Sequence, residues 1–600
     1  MGSIIAILAR SIPVDTGIAR QMLAAAPHRG SDLNVRVCGN CILGVNNKDD
    51  STDSTISSEG PLMAVLAGKL DNALELTNTL SAAGHSPVST NAADIAVAAF
   101  KVFGTDAPNR MRGQFAGVVT DGRQISCFRD HIGFKPLFYR DDPSAFFVAT
   151  EAKQIVAGAK LRREPDLDVL KGIFYGKMPG DMPSAMKGVG RLPQASVLSA
   201  NGRRGSPVVQ RYWNPCAILE TGRYTEAEVA DRFTELFAQA VDRSLTGKDV
   251  ISLSGGIDSP GVAAFAAPQH LERTGRPISA LSAVFPDLPS VDESSYIELV
   301  SKYLGIELHT YRIQAQVFDD LQHWCGLADG PIPTTAITQQ QEYYNLARKL
   351  GFRNVLTGEL AEFLFCYDAH LLGHLLIHGR WSALARLISK QRGRGVPWNK
   401  IANRLFETFV PAQIGRWYSR ARGLDSPKRI PDWLNRSTVQ NEAFYRTDLL
   451  DPIHRRWLEY QLLAFSGCTG SLEASDLCEA INGVTVRRPF TDIDLWEFFL
   501  SLPAELKFPD TRSKTLIRQL LRGKLPDAIL DRRDKTVFDD HIMAQIDYPL
   551  FERFLSRPNH RIAGVDYERL AARIENRDFK LVDFLWANDL VRIHAFLGLW

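Results

Sequence analysis

The 600-residue chain lacks a strong excess of charge of either sign. It carries 70 Lys and Arg against 68 Asp and Glu, a formal net charge of +2. Such a balance gives no field that would favour nucleic acid or an anionic membrane surface as the main partner. It leaves small molecules and peptides open as substrates.

Long apolar runs are also absent. No stretch reaches the roughly 20 apolar residues that a membrane span needs. Residues Ile4 to Leu8 are too short for the core of a signal peptide and lack its charged lead-in. We therefore expect no membrane span, and a folded protein that resides in the cytoplasm. Six hundred residues exceed what one hydrophobic core holds, so two or more domains are expected.

The eight cysteines are scattered and show no disulfide framework, which suits a reducing compartment. Cys38 and Cys41 form the one close pair. A single C-x-x-C without a second pair or a nearby His is a weak sign of a metal or redox site. We favour two half-buried strand cysteines.

One stretch carries a clear chemical pattern. Residues Val250 to Leu253 are apolar and β-prone, a Ser-Gly-Gly turn follows, and residues 260–267 are typical of the first turns of a helix. Gly255 and Gly256 allow a ligand to approach the backbone, and the amides at a helix start attract an anion. The pattern predicts a phosphate-binding loop between a strand and a helix.

An acid stands inside this loop. Ser254 and Ser259 add hydroxyl donors, whereas Asp258 would repel a bare phosphate and is best explained as a ligand of Mg²⁺ that bridges phosphate oxygens. The loop lacks the Gly-Lys-Ser/Thr ending of a Walker loop. The residues assigned to nucleotide binding here are Leu253, Ser254, Gly255, Gly256, Asp258 and Ser259.

The chain around the loop alternates strands and helices, which predicts an α/β fold with a parallel sheet. The expected strands cover residues 250–253, 278–284, 307–313 and 354–356, and the expected helices 225–245, 293–304 and 339–350. Ligands of such sheets bind outside the carboxyl ends of the strands. We therefore expect one crevice formed by Ser254 to Ser259, Val284-Phe285 and Gly358-Glu359.

The run Ser-Gly-Gly-x-Asp-Ser resembles the pyrophosphate loop of ATP pyrophosphatases, which cleave ATP between the α- and β-phosphates to adenylylate a substrate. Residues 356–363 lie where asparagine synthetases carry Gly-Glu-Gly-Ser-Asp-Glu. The resemblance implies that Gly358 and Val284 contact ATP, although Val284 could also be an ordinary core valine. It implies Glu359 as a general base near the attacking amine, and Glu362, in place of Asp, as a second Mg²⁺ ligand.

The last third of the chain also resembles this family. The motifs are Val-Arg-Arg-Pro-Phe-Thr-Asp at 486–492, Lys-Thr-Leu-Ile-Arg at 514–518 and Arg-Arg-Asp-Lys-Thr-Val-Phe at 532–538. By its register, Lys535 is similar to the family lysine that neutralises charge developing at the acyl-adenylate. The alternative is a surface lysine, and we favour the catalytic role.

The first 215 residues resemble the glutaminase domain of class II amidotransferases, which implies an Ntn-hydrolase-like αββα fold. In that family a Cys at position 2 is the nucleophile that releases ammonia from glutamine. Here position 2 is Gly2, the oxyanion-stabilising Asn-Gly pair is replaced by Ala67-Gly68, and the carboxylate-binding Arg falls near Asn46-Asn47. Three losses in one pocket predict a scaffold without glutaminase activity.

We therefore expect a degenerate amidotransferase-like domain at 1–215, a Pro- and Gly-rich connection within 160–220, and an ATP-pyrophosphatase domain at 216–600. Residues 367–470 form a helical insertion in the second domain. Its basic run, from Arg380 to Lys400, is either a solvated face or a docking surface for substrate.

The combined pattern is most similar to lasso peptide cyclases. These ATP- and Mg²⁺-dependent enzymes adenylylate a side-chain carboxylate of a precursor peptide and join it to the peptide's N-terminal amine. The resemblance implies a precursor peptide as substrate, with leader-binding and protease proteins as partners. Two other enzymes stay open: an asparagine synthetase-like enzyme that uses free ammonia, and a β-lactam synthetase-like enzyme, although that group carries Tyr where this chain has Glu359. A non-catalytic binding protein is the remaining alternative.

Overall fold

The computed structural model describes most of the chain. The described residues are 2–13, 15–48, 53–57, 61–177, 180, 182–202, 207–218, 224–365, 371–406, 430–442, 457–508, 514–532 and 545–600. Lys535, assigned a catalytic role above, lies outside these ranges.

Two six-stranded antiparallel sheets form the N-terminal domain. The first has the order β10-β8-β9-β1-β3-β2 and the second β12-β11-β7-β6-β5-β4. The strands of the first sheet are β1 (Ser3–Ala9), β2 (Asp32–Cys38), β3 (Cys41–Asn47), β8 (Phe138–Asp141), β9 (Ala145–Ala149) and β10 (Gly190–Arg191). Those of the second are β4 (Ser54–Ile56), β5 (Met63–Leu70), β6 (Gly113–Thr120), β7 (Gln124–Arg129), β11 (Ser196–Asn201) and β12 (Val208–Arg211).

The alternation of side chains along β1 explains the layering. Ile4, Ala6 and Leu8 pack between the two sheets, while Ile5 and Ile7 pack against the helices outside the first sheet. Both faces of β1 are therefore buried, as its continuous apolar sequence requires. The expected αββα sandwich is confirmed.

The second domain contains a five-stranded parallel sheet in the order β15-β14-β13-β16-β17. Its strands are β13 (Asp249–Ser252), β14 (Ser279–Ala283), β15 (Glu307–Tyr311), β16 (Asn354–Leu356) and β17 (Thr485–Arg487). The central strand β13 is the predicted strand before the phosphate loop. The strand order changes direction there, which is the usual position of a ligand crevice in such sheets.

Helices cover both domains. Those of the first are α1 (Thr16–Ala24), α2 (Ala73–Ala82), α3 (Ala92–Phe103), α4 (Ala107–Arg110), α5 (Ala152–Gly158) and α6 (Leu167–Phe174). The next, up to the insertion, are α7 (Glu226–Ser244), α8 (Asp258–Thr274), α9 (Ser294–Leu304), α10 (Leu321–Ala328), α11 (Ile337–Lys349) and α12 (Glu362–Phe365). The insertion contributes α13 (Leu371–Ile377), α14 (Trp381–Gly393), α15 (Trp398–Phe406), α16 (Arg436–Glu442) and α17 (Trp457–Asn482). The remaining helices are α18 (Ile493–Ser501), α19 (Ala504–Lys507), α20 (Thr515–Leu520), α21 (Asp527–Leu530), α22 (Tyr548–Leu555), α23 (Tyr567–Glu575) and α24 (Leu581–Leu597).

The connection between the domains is shorter than the sequence predicted. Residues 160–220 were expected to link the domains, but β11 pairs with β7 over Ser196 to Asn201 and belongs to the second sheet. The strands β10, β11 and β12 in this segment are short and are separated by turns. The segment is therefore rich in turn residues, as a linker would be. At its other end, the helix expected over 225–245 is α7, which Thr225 caps through the backbone amide of Glu228.

The fold also places the Cys38–Cys41 pair and the end of the insertion. Cys38 and Cys41 face each other across the β2–β3 hairpin as strand residues, as expected; Cys38 is half-buried, whereas Cys41 is fully buried. The expected boundary of the insertion at residue 470 falls inside α17, which continues to Asn482. Within the described ranges, no helix has the length and apolar character to cross a membrane.

Candidate active site

The phosphate-loop residues connect the end of β13 to the start of α8. Val250 and Ile251 are fully buried in the sheet, and α8 begins at Asp258. The loop therefore lies at the carboxyl edge of the central strand. This is the strand–loop–helix arrangement that the sequence predicted.

Ser254 and Ser259 meet across the loop. The hydroxyl of Ser259 accepts a hydrogen bond from the Ser254 amide at 2.9 Å, and the two hydroxyl oxygens are also 2.9 Å apart. The Ser254 side chain lies at the surface, whereas Ser259 is buried. The pair holds the loop closed and presents one hydroxyl to an incoming ligand.

Gly255 is required by a close approach of α9. A Cβ at this position would lie 2.9 Å from the Cβ atoms of both Glu293 and Tyr296. The Gly255 amide donates to Oε2 of Glu293 at 3.0 Å, so a phosphate would compete with this carboxylate for the amide. The predicted role of Gly255 in ATP binding stays a prediction.

Arg532 contributes a cation beside the same loop. Its Nη1 donates to the carbonyl of Gly255 at 2.8 Å and to Oε1 of Glu293 at 2.8 Å, and its guanidinium stacks on Tyr296 at 4.3 Å from the ring centre. Arg532 is the first residue of the family motif at 532–538, but the sequence alone predicted no role for it. Lys535, later in that motif, remains a prediction.

Asp258 lies in the first turn of α8 and forms an ion pair with Lys514 through its Oδ2. Its Oδ1 is buried and has no hydrogen-bond partner among the described residues. Gly358 packs against this turn, because a Cβ there would lie 2.4 Å from the Ser259 amide nitrogen. The structure thus brings Gly358 together with the loop, as predicted, and adds Lys514, whose motif was recognised without a role.

The donor set around Asp258 fits Mg²⁺ in part. Mg²⁺ in nucleotide sites takes one or two carboxylates and fills its shell with phosphate oxygens and water. The unsatisfied Oδ1 of Asp258 fits one such position. Glu362 is exposed at the first residue of α12. Burial raises the pKa of the Cys468 thiol to about 11, and the negative charge of Glu362 adds to this rise. In the described part of the chain, no three His, Cys, Asp or Glu side chains form a cluster that could hold a metal by themselves.

Glu359 is held by a buried arginine. Nε of Arg488 donates to Oε2 of Glu359 at 2.7 Å; the Arg488 side chain is 3% exposed and that of Glu359 49%. The pair orients a carboxylate that still reaches solvent at the edge of the crevice. Such a carboxylate can accept a proton from an amine that attacks nearby.

Val284 follows β14, and its amide donates to the carbonyl of Tyr311 at 3.0 Å. Its backbone N–H is therefore used by the neighbouring strand, and an adenine contact would involve other atoms of this residue. The assignment of Val284 to ATP binding stays a prediction.

The position of the family's nucleophile in the first domain leaves no room for a side chain. A Cβ on Gly2 would lie 1.9 Å from the carbonyl oxygen of Asn46 and 2.7 Å from the hydroxyl of Ser54. The buried Asn46 side chain accepts from the amide and the hydroxyl of Ser3 at 2.7 Å each, and donates to the carbonyl of Gly30 at 3.2 Å. The space beside position 2 has thus been taken over by internal hydrogen bonds.

Comparison with known proteins identifies both domains. The glutamine amidotransferase domain family matches residues 1–213 and the asparagine synthase family residues 232–583. Asparagine synthetase [glutamine-hydrolyzing] 3 of Bacillus subtilis is 27% identical over 491 residues, which cover 78% of this chain and 74% of the relative. Amidase chry2 of Gibberella zeae is 22% identical, with 87% and 86% covered. The carboxyethyl-arginine beta-lactam-synthase of Streptomyces clavuligerus is 29% identical over 34% of this chain and 37% of its own length.

These matches agree with the parallel sheet, the loop at the end of β13 and the αββα sandwich described above. The asparagine synthase match alone covers more than half of the chain. The chain therefore belongs to the asparagine synthase family, as an ATP-dependent carbon–nitrogen ligase with an N-terminal glutamine amidotransferase-type domain.

Proposed function

We propose that the protein closes a macrolactam ring in a precursor peptide, as lasso peptide cyclases do. A side-chain carboxylate of the peptide attacks ATP, with Mg²⁺ bound at Asp258, and forms an acyl-adenylate while pyrophosphate leaves. The peptide's N-terminal amine then attacks the acyl carbon, the new C–N bond forms, and the bond to AMP breaks. Glu359 accepts the proton that the amine loses, and Lys535 balances the charge on the departing AMP.

The observation that carries this proposal is the lack of room for a side chain at Gly2. The family's nucleophile is missing, and the space for its side chain is occupied by the Asn46 carbonyl. Ammonia from glutamine is then not the amine that this enzyme uses. An amine on the same molecule as the activated acid is the simplest replacement, because attack within one molecule can be favoured by about 7–11 kcal/mol when well oriented.

The helical insertion supports a peptide substrate. Between residues 371 and 406 it carries seven Arg or Lys residues and no Asp or Glu. Trp381 and Trp398, at the starts of α14 and α15, are 64% and 60% exposed. Ordering a flexible peptide costs about 1–2 kcal/mol per residue in backbone entropy, so a ring-closing enzyme needs a large contact surface. We propose this surface as the docking face, and leader-binding and protease proteins as cytoplasmic partners.

The experiment uses the purified protein with ATP, Mg²⁺ and the leader-free form of a short precursor encoded next to its gene. We expect a product that is lighter by one water and has no free N-terminal amine, with AMP and pyrophosphate released in equal amounts. A peptide of the same composition with an acetylated N-terminus is the control and should not be dehydrated.

A second candidate is an asparagine synthetase-like enzyme that uses free ammonia. Glu359 favours it, since this residue is in register with the asparagine synthetase motif. Incubation with aspartate and ammonium distinguishes the two. Formation of asparagine, with no dehydration of the peptide, would overturn the cyclase proposal and support this one.

A further inference from the structure

Ion pairs run without interruption from the first domain to Glu359. Arg29 and Lys135 come from the amidotransferase-type domain, and Asp476 and Glu479 lie on α17. Nη1 of Arg29 is 2.8 Å from Oδ2 of Asp476, and Nζ of Lys135 is 2.7 Å from Oδ1 of the same residue. The carboxylate of Asp476 is thus shared by two cations of the other domain.

The series continues through the next turn of α17. Nζ of Lys135 is 3.8 Å from Oε2 of Glu479, and Oε1 of Glu479 is 3.6 Å from Nη1 of Arg488. Arg488 also donates through Nη2 to the hydroxyl of Ser475 at 2.8 Å and through Nε to Glu359 at 2.7 Å. Lys135 and Glu359 are therefore separated by two side chains only.

The charged side chains that link the first domain to Glu359 are buried, so each depends on its partner for charge compensation. The side chains of Lys135, Asp476, Glu479 and Arg488 are between 2% and 6% exposed. Burial alone raises the pKa of Asp476, but Lys135 and Arg29 outweigh it and lower that pKa to about 2. Burial raises the pKa of Glu479 more than Lys135 and Arg488 lower it. Removing one partner from such a set leaves a buried charge without compensation.

We propose that Lys135 is a positioning residue for Glu359. It shares Glu479 with Arg488, and the Ser475 hydroxyl donates to Oε1 of Glu479 at 3.2 Å; together they keep the Glu479–Arg488 pair loose, at 3.6 Å, so that Arg488 remains hydrogen-bonded to Glu359. The amidotransferase-type domain would thus be retained because it fixes the geometry of the synthetase site, although its own nucleophile position holds Gly2. The inference rests on the proposed role of Glu359 in the amide-forming step.

Substitution of Lys135 by Met tests this. Without the ammonium group, Arg488 is the cation left beside Glu479, and we expect the guanidinium to move toward it and away from Glu359. Adenylylation does not involve Glu359, so ATP–pyrophosphate exchange with the peptide should change by less than about twofold. Amide formation should fall by about 10- to 100-fold, the effect of a misplaced catalytic group.

Two further variants separate positioning from general support of the fold. Lys135→Arg keeps the charge and should restore amide formation to within about threefold of wild type. Arg112→Met removes another ion pair between the domains, 2.8 Å from Asp494 and outside this series, and should alter neither step. Equal loss of both steps in Lys135→Met, or loss of neither, would overturn the proposal.

A crystal structure of the Lys135→Met protein supplies a test that does not depend on the substrate. We expect the Arg488–Glu359 contact to lengthen beyond 4 Å and the Arg488–Glu479 contact to shorten. An unchanged Arg488–Glu359 hydrogen bond would overturn the proposal. Failure of the proposed function would look different, because the wild-type protein would then show no exchange or dehydration with the peptide at all.

Discussion

The pocket at Gly2 and the crevice at Asp258 are the two places where this family carries its chemistry, and they differ in what surrounds the residue at the functional position. Around Gly2, the side-chain amide of Asn46 bonds to Ser3 and Gly30, and its backbone carbonyl oxygen occupies the space that a side chain at position 2 would need. Around Asp258, one carboxylate oxygen pairs with Lys514, the other is buried with no hydrogen-bond partner in the described part of the chain, and the Ser254 hydroxyl lies at the surface.

Buried polar atoms in proteins almost always find partners, and an exception needs an explanation. Among the residues that the structure describes, the Ser54 hydroxyl beside Gly2 is such an exception too, so what separates the two regions is space: the backbone carbonyl oxygen of Asn46 fills the position that a side chain at residue 2 would take. A site that binds a metal and phosphates must keep its polar groups available. The difference therefore predicts a strong response to substitution at Asp258 and a weak one at Gly2.

The largest effect is expected for Asp258→Asn. The change removes the charge that fits Mg²⁺ while keeping the size of the side chain, and loss of metal-assisted charge stabilisation is worth several kcal/mol. Pyrophosphate release should fall by about 10²-fold or more. Asp287→Asn, an exposed carboxylate after the neighbouring strand β14, is the control and should behave as wild type. Release at the wild-type rate in Asp258→Asn would contradict the assignment.

The next effect is expected for Lys535→Ala. A positive charge helps most where negative charge develops during the reaction, so ATP binding measured by calorimetry should be nearly unchanged. Amide formation should fall by about 10²-fold. Lys524→Ala removes an exposed lysine of the same region and serves as the control. A Lys535 variant that binds ATP poorly but turns over normally would show that the role is wrong.

The sequence predicted the parts of the site that depend on local pattern. Gly255, Asp258 and Gly358 occupy the predicted strand ends, because an apolar strand and a Gly-rich turn specify their own geometry. Arg488 and Lys514 were recognised only within motifs. Their partners, Glu359 and Asp258, lie more than 100 and 250 residues away in sequence, and no spacing rule connects residues at that distance.

The fold was predictable to a similar degree. Four of the five strands of the parallel sheet, β13 to β16, were found from hydrophobic pattern, with ends within about two residues, whereas β17 was not predicted as a strand. Residues 160–220 were misassigned as a connection because β10, β11 and β12 are short and separated by turns. Their membership of a sheet depends on pairing with β7 and β8, which are distant in sequence.

A smaller effect is expected at Asp329, where the two domains that carry these regions meet. Asp329 accepts a hydrogen bond from the Lys153 amide at 2.8 Å, and burial raises its pKa to about 6. A raised pKa means that the protonated form stabilises the fold: this stability is complete below about pH 4 and is lost as the pH rises through 6. Asp329→Asn removes the charge, so its melting temperature should exceed that of wild type at pH 7.5 but not at pH 4. The pKa shift of Asp329 corresponds to at most about 3 kcal/mol in the free energy of unfolding. A difference in melting temperature that does not change with pH would contradict the assignment. Asp287→Asn is again the control.

The weakest response in activity is expected when the family's nucleophile is restored by Gly2→Cys. The new Cβ would lie 1.9 Å from the Asn46 carbonyl oxygen and 2.6 Å from Oδ1 of Asn47, so the strand must shift to admit it. Overpacking of this kind costs about 1–3 kcal/mol and should lower the melting temperature. Gly393→Cys, placed where no atom lies within 4 Å of the added Cβ, controls for the extra thiol.

Glutamate should not form from glutamine above the buffer rate, because Ala67 offers no side-chain amide for the oxyanion and Asn46 remains bonded to Ser3. If Gly2→Cys did hydrolyse glutamine, the pocket would still be open to its former ligand, and the difference between the two regions would lie in one side chain alone.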